Sequence, residues 1–446
     1  MKRFFETLKN IWTIEDLRVR IINTLGLLLI YRLGSYVVLP GVNSAALEIA
    51  NAGNTGGIAG LLDLFAGGAF SRASIFALGI MPYISASIVV QLLGIAIPYF
   101  QKLQKEGESG RRKINQVTRM LTILIVAFQA PGYIASQVPE LTGAGEIVRP
   151  DTLFWWISTV IILITGTMFV MWLGERITEK GLGNGISLII MIGIIASLPF
   201  AFVAEFASRI KGGGLVILLV ELVILLLVII ATILLVQGTR RVPVQFAKRV
   251  VGNKQYGGVR QYIPLKVNAA GVMPIIFAQA IMFIPITLAG FASTDSLTGI
   301  TAALSDYTGF WYNLIFALMI IAFTYFYTAV TVNPNQMADD MKKNGGFVPG
   351  VKPGKQTAKF LDDVLSKITL PGSIFLAIVA ILPAFAAQAG VNGQFAQFYG
   401  GTSLLIMVGV ILDTLQQIES HLLMRHYDGL MKSGRIKGRS SINMAG

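Results

Sequence analysis

Apolar runs, each about one bilayer thick, alternate along this chain with shorter polar stretches. They lie near residues 21–39, 73–98, 117–138, 153–174, 186–208, 214–236, 269–290, 311–332, 368–387 and 402–424. A helix rises 1.5 Å per residue, so about 20 apolar residues cross the hydrocarbon of a bilayer. The pattern therefore predicts ten transmembrane helices. The first window has a basic flank, but its apolar core is longer than that of a secretory leader and the chain stays apolar beyond it. A first membrane helix is expected there.

One apolar piece does not fit. GGIAGLLDLFAGGAF, residues 56–70, has only 15 residues and carries Asp63. It is too short to span, and hydrocarbon penalises its carboxylate. A half-inserted helix is expected, hinged by Gly56, Gly57, Gly67 and Gly68. Broken backbone at membrane depth survives only against other protein or a water-filled cavity, so this piece implies a cavity in the middle of the molecule.

Composition agrees: 54% of the 446 residues are hydrophobic and 13% charged, with mean hydropathy +0.68. These values belong to a polytopic membrane protein. With no cysteine, neither a disulfide framework nor a thiolate metal site is available.

The net charge of +13 is concentrated on one face. Five Lys and Arg precede the first window, six lie between Lys102 and Arg119, seven between Arg240 and Lys266, six between Lys342 and Lys367, and five from Arg425 onward. The positive-inside rule then places both termini in the cytoplasm. The loop 237–268 holds seven cations and no anion, whereas 333–367 mixes six cations with four anions. A few charges near helix ends suffice for topology. Loops over 30 residues long with turn-forming Gly and Pro suggest a platform for an acidic partner or for RNA phosphates. The opposite loops, 40–56, 139–152, 291–309 and 388–400, are short and glycine-rich, so work is done in the membrane or on the cytoplasmic face.

Several chemistries are excluded. His421 and His426, the only histidines, are five apart on one helix and do not share a face for a metal. No HExxH or GxSxG occurs, and GVKPGKQT lacks both the spacing and the Ser or Thr of a phosphate loop. GLGNGIS, at 181–187, reads as a turn and helix start. No metal, no cofactor and no enzymatic activity are expected. Within the spans, Arg32, Glu221, Asp413 and Glu419 are the charged candidates, a sparse set for an ion-coupled transporter. Glycine and isoleucine instead suit a dry constriction that yields rather than coordinates.

The stretches ALGIMPYISASIVVQLL (77–93), EGESGRRKINQVTR (106–119), GTMFVMWLGERITEKGLGNGIS (166–187), PLKVNAAGVMPIIFA (264–278), FVPGVKPGKQTAKFLD (347–362) and YGGTSLLIMVGVILD (399–413) resemble those of the SecY family. Its members are the pore-forming subunits of the bacterial Sec protein-translocation channel. The likeness runs in order from about residue 16 to the end of the chain. It implies an all-α polytopic membrane protein with ten helices in two pseudo-symmetric five-helix halves, residues 1–210 and 211–446. The halves would enclose a central pore with a half-helix plug and a lateral gate to lipid.

By the same resemblance the plug falls on residues 57–70, with Gly57, Leu61, Asp63, Phe65 and Gly68. Ile80, Ile84, Ile186, Ile190, Ile276 and Ile406 would form the pore ring, and Gln91, Gln129 and Asn268 a polar cluster in the gate between helices 2–3 and 7–8. Cytoplasmic docking would use Arg240, Arg241, Lys248, Arg249, Lys352 and Lys355. Implied partners are the SecE and SecG subunits, the motor SecA, the ribosome, signal-bearing polypeptides and membrane lipids. The implied location is the bacterial plasma membrane. One motif departs from the family: where PGIRPG is usual, this chain has Val351 and Lys352, keeping the charge but losing the planar guanidinium fork.

The expected function is a protein-conducting channel that passes unfolded secretory polypeptides outward and releases membrane segments sideways into lipid. A secondary transporter with inverted repeats is the rival reading and would need a midplane site, for which Asp413 is the only handle. A membrane scaffold would account for the basic loops but leaves the half-helix unexplained.

Overall fold

The computed structural model describes residues 12, 14–51, 57–141, 147–211, 214–246, 249–251, 254–256, 260–279, 281–282 and 308–432. Fourteen helices can be bounded among them. In chain order they are α1 Glu15–Gly34, α2 Ser44–Asn51, α3 Gly57–Ala66, α4 Met81–Ala96 and α5 Pro98–Lys105. Next come α6 Glu108–Gln137, α7 Leu153–Lys180, α8 Gly185–Lys211 and α9 Leu215–Gln237. The last five are α10 Phe310–Thr331, α11 Pro334–Lys343, α12 Lys355–Gln388, α13 Gly393–Ala396 and α14 Gly401–Lys432.

Among the described residues, α6, α7, α8, α9, α10, α12 and α14 are long and apolar enough to cross a bilayer. An eighth candidate is α4 with α5, which meet at a 102° bend. That bend falls at Ile97, whose extended backbone leads into Pro98, and a residue before proline is driven from the helical region. The first predicted span falls on α1. The seventh falls on 269–290, of which 269–272 form turns and 273–279 and 281–282 are helical, while 280 and 283–290 lie outside the described residues. Local caps follow the sequence: Thr152 accepts from Trp155 N at the start of α7, and Asn333 accepts from Asn335 N and Gln336 N at α11.

One expectation needs correction. The second span was expected to be helical from residue 73, but residues 67–80 form successive turns and the helix begins at Met81. Gly67, Gly68, Ala73 and Gly79 have φ of +64°, +82°, +47° and +54°, which no right-handed helix accommodates. Ser74 instead bridges Val38, with Leu39 N donating to Ala73 O and Ile75 N to Val37 O, both at 2.9 Å.

Short strands accompany the predominantly helical fold. β1 Thr239–Phe246, β2 Arg249–Val251, β3 Lys254–Tyr256 and β4 Arg260–Lys266 lie in the basic loop after α9, and β5 Gly346–Phe347 in the loop after α11. The larger sheet has the order β4-β1-β5. β1 is antiparallel to β4, with Val242 opposite Ile263, and antiparallel to β5, with Gln245 opposite Phe347. Val242 and Val244 alternate with exposed residues along β1. They turn inward onto Leu265, Met341, Val348, Leu361 and Leu365, a small apolar core that joins the two loops.

Within the helical body, α8 touches α1, α3, α7, α9, α13 and α14. The largest buried cluster surrounds it. It draws on α1, α3, α4, α7 and α8 from the first part of the chain, and on Phe277, Phe395, Ile406 and Val410 from the second. Separate clusters fill each flank. One is built on Val126, Tyr133, Trp155 and Leu163, the other on Ile275, Phe316, Leu376 and Leu404.

Candidate functional site

The six isoleucines singled out from the sequence gather in the central cluster. Ile80, Ile84, Ile190 and Ile406 are buried there, and Ile186 and Ile276 are partly buried against them. They arrive from the turn before α4, from α4, from α8, from the 273–279 helix and from α14. Ile80 and Ile84 are one turn apart, as are Ile186 and Ile190, so each pair shares a face. Leu64 and Phe65 of α3 belong to the same cluster. A cluster of branched apolar side chains excludes water and offers an ion nothing to coordinate.

Polar contacts hold the tip in place. The Asp63 carboxylate accepts from Ser71 N at 2.8 Å and from Ser71 Oγ at 2.9 Å. Gly68 N donates to Asp63 O at 2.9 Å, closing a turn whose two left-handed glycines relieve any steric cost. The Gly67 carbonyl accepts from Arg32 and, at 2.9 Å, from Arg72. Both guanidiniums also lie over the Tyr36 ring, at 4.9 and 4.4 Å from its centroid. Tyr31 Oη donates to Ala66 O at 3.3 Å and Tyr133 Oη to Phe70 O at 2.7 Å.

Burial raises the Asp63 carboxyl above the ordinary carboxylate range, with the Ser71 bonds and the Arg72 charge opposing the shift. A cavity of about 240 Å³ beside it is lined by Arg32, Arg72, Gln137, Ser197 and Gln397 among others. It is polar and roomy enough for water. Gly57 and Leu61 belong to α3, but their side-chain surroundings lie outside the described residues.

The expected polar seam is only partly assembled. Tyr327 Oη on α10 donates to Gln91 Oε1 on α4 at 3.5 Å, and Gln91 Nε2 donates to Ser87 Oγ at 3.4 Å. Phe277 packs its ring against Phe323 and Tyr327, 5.7 and 5.8 Å between centroids. Gln129 is half-buried on α6, and the buried Asn268 Oδ1 has no hydrogen-bond partner among the described residues. No hydrogen bond joins Gln91 to either of them among these residues.

Of the basic residues, Arg240 and Arg241 are exposed on β1, and Lys352 and Lys355 are exposed around the turn leading into α12. That turn has left-handed Gly350 and Gly354, and Lys352 O accepts from Thr357 Oγ1 at 2.9 Å. Arg249 opposes Tyr256 in the β2–β3 hairpin. Lys248 lies outside the described residues, as do the side-chain surroundings of Arg249.

Charged groups within the spans behave differently from one another. Asp413 is exposed on α14. Glu221 is buried and paired with Arg209. Glu205 was missing from the candidates drawn from the sequence, although it lies in the fifth span. It is 1% exposed and bonds Arg209 Nε at 2.7 Å. Its place four residues before an arginine was the available signal.

This architecture matches known proteins. The SecY family profile matches residues 74–415. The protein translocase subunit SecY of Mycobacterium tuberculosis is 43% identical over 435 residues, covering 94% of this chain and 97% of that protein. A solved protein-conducting channel superposes with TM-score 0.62 at 17% identity, over 90% of this chain and 92% of its own. Sec61 in the canine ribosome-channel complex from the endoplasmic reticulum gives TM-score 0.58 at 16% identity, with the same 90% and 92% coverage.

Proposed function

The chain belongs to the SecY family of protein translocase subunits, and from that premise we propose how it conducts protein. It is a multi-pass membrane channel, not an enzyme. Ten spans form two halves, 1–210 and 211–446, with both termini in the cytoplasm of a bacterium and the membrane being the plasma membrane. The isoleucines Ile80, Ile84, Ile186, Ile190, Ile276 and Ile406 are the constriction, and α3 with the following turns is the plug. The single observation that carries this reading is that all six isoleucines and the apolar tip of α3 occupy one buried cluster. Such a closed state is dry, and an unfolded polypeptide entering it displaces the tip and takes its place among side chains that make no specific demand.

Signal-bearing segments leave sideways between α4 and α10, where the weak Tyr327–Gln91 contact spans the seam. SecE and SecG are its membrane partners, and lipid surrounds the rest. SecA or the ribosome docks on the basic surface formed by β1 and the turn before α12. The canine Sec61 solved in a ribosome-channel complex supports the ribosome as one such partner.

The test is reconstitution of the chain in lipid vesicles with SecE, SecG, SecA and ATP, followed by protease protection of an unfolded secretory precursor. Protected precursor is expected. Uptake of small solutes without any precursor import would favour a transporter and overturn the channel reading.

A further inference from the structure

The turn after α3 is held by two cations that lack a counter-charge of their own. Arg32, in the last turn of α1, and Arg72 both donate to the Gly67 carbonyl, and both lie over the Tyr36 ring. The guanidiniums press on the turn itself. A Cβ at Gly67 would stand 2.8 Å from Arg32 Nη1, and one at Gly68 2.7 Å from Arg72 Nη1. Among the described residues neither arginine is ion-paired. Arg32 Nη2 donates to Tyr36 Oη at 2.9 Å, whereas Arg72 Nε is buried with no hydrogen-bond partner among these residues.

One carbonyl dipole and one ring face do not neutralise two like charges held side by side. The side-chain charges that reach Arg72 are Arg32, which repels it, and Asp63 and Glu48, which attract it. Glu48 is exposed on α2 and does not line the cavity beside the turn. Asp63 does line it, but both of its oxygens are engaged by Ser71. The cavity, of about 240 Å³, also gathers Gln137, Ser197, Gln394 and Gln397. Guanidiniums are donors only, and amides and hydroxyls can turn a donor inward. Two cations against one carboxylate leave a single positive charge. Water cannot offset that charge, but one monovalent anion can, through the charge-assisted bonds that are strongest where solvent is scarce.

We propose that this cavity binds one small monovalent inorganic anion, chloride being the probe of choice, between Arg32 and Arg72, and that the bound anion clamps the turn after α3. Both guanidiniums are tied to Gly67, so drawing α3 away takes the donor set apart. An anion that binds only the assembled set stabilises the docked turn by its own binding free energy. The clamp rests on the reading of α3 as the plug, while the anion site rests on the cavity alone.

The full chain in lipid nanodiscs is titrated with chloride against gluconate at constant ionic strength, and binding is read from the broadening of the ³⁵Cl resonance. Saturable broadening that bromide displaces is expected. Loss of a charge-assisted bond weakens an ion by about tenfold or more, so Arg72→Gln should lose most of the broadening at the same chloride concentration. Ala196→Leu fills part of the cavity lining without touching a charge and should also lose it, which carries the test if Arg72→Gln fails to fold. Broadening that does not saturate, or that is equal in the parent and both variants, overturns the site. The clamp is read separately. The chain has no cysteine, so Leu64→Cys on α3 supplies a single thiol, and chloride should slow its labelling by a maleimide several-fold in the parent and not in Arg72→Gln. Labelling indifferent to chloride in the parent overturns the clamp. Neither measurement uses a precursor, so a failure of precursor import bears on the channel reading and not on the anion site.

Discussion

The main chain of α8 at Gly193 lies so close to α3 that a Cβ there would stand 2.6 Å from the carbonyl oxygen of Phe65. Real Cβ atoms do not approach backbone oxygens so closely, and neither helix backbone is a flexible side-chain end. Gly193→Ala should push α3, the proposed plug, out of its seat while α8 itself remains a good helix. The expected readout is faster crosslinking of a cysteine placed on α3 to a reagent on the outer side, with unchanged expression. Parent-like crosslinking would mean that α8 shifts instead.

Neutralising Asp63 should seat the plug more firmly. Asp63→Asn keeps an acceptor for Ser71 N, and its amide NH2 can donate to Ser71 Oγ where the carboxylate accepted from it, while the carboxylate that burial disfavours is removed. The docked carboxyl has a raised pKa, so the docked state binds its proton more tightly than the displaced one does. Seating is strongest below the ordinary carboxylate pKa and weakens as pH rises through the raised value. Plug–wall disulfide yield measured against pH should fall across that window in the parent and stay high and flat in the variant. A matching slope in both would remove Asp63 from the account.

Ile84→Gly with Ile276→Gly takes two walls from the central cluster and leaves room for water. A resting ion leak and a looser demand for an apolar signal are expected, because less packing has to be disrupted on opening. The control is the same change at Ile157 and Ile161, which are exposed on α7. Planar-bilayer recording separates the two, and silence of the first pair would mean the seal lies elsewhere.

The exposed cations of β1 and of the turn before α12 should act as one surface. Arg240→Glu with Arg241→Glu, and separately Lys352→Glu with Lys355→Glu, are each expected to weaken motor or ribosome binding. Each should also flatten its dependence on salt by roughly two counterions' worth of slope. Membrane insertion should survive, since other loops carry the topology signal. Binding and salt slope equal to the parent's in both variants would reduce these loops to topology signals.

Much of the fold was legible because the bilayer leaves few options. Runs of about 20 apolar residues favour helices, and a run of 15 that carries Asp63 is too short for one more spanning helix. The turns at 67–80 were not legible, since Ala73 and Ser74 read as apolar or small in a spanning run and nothing local marks Ala73 as left-handed. The alternation of Val242 and Val244 in TRRVPVQF is a strand signal in plain view. Its partner Phe347, however, lies a hundred residues away, and no local pattern reports a pairing at that distance. That the six isoleucines gather in one cluster was legible only through family resemblance, because a buried isoleucine and one facing lipid are the same letter. The bonds from Arg209 to Gly390 O and from Asn392 N to Glu205 were hidden for a related reason: Gly390 and Asn392 contribute backbone atoms, which leave no trace in residue identity.

The short pairing of β5 with β1 has a mechanical consequence. The loop after α9 and the loop after α11 are not two independent grips but one stiff handle, stitched at Gln245–Phe347 and backed by its own small core. Force delivered to either loop is shared at once by α9, α10 and α12, all of which hang from that handle. A partner pushing on either of the two loops would therefore load α9, α10 and α12 together.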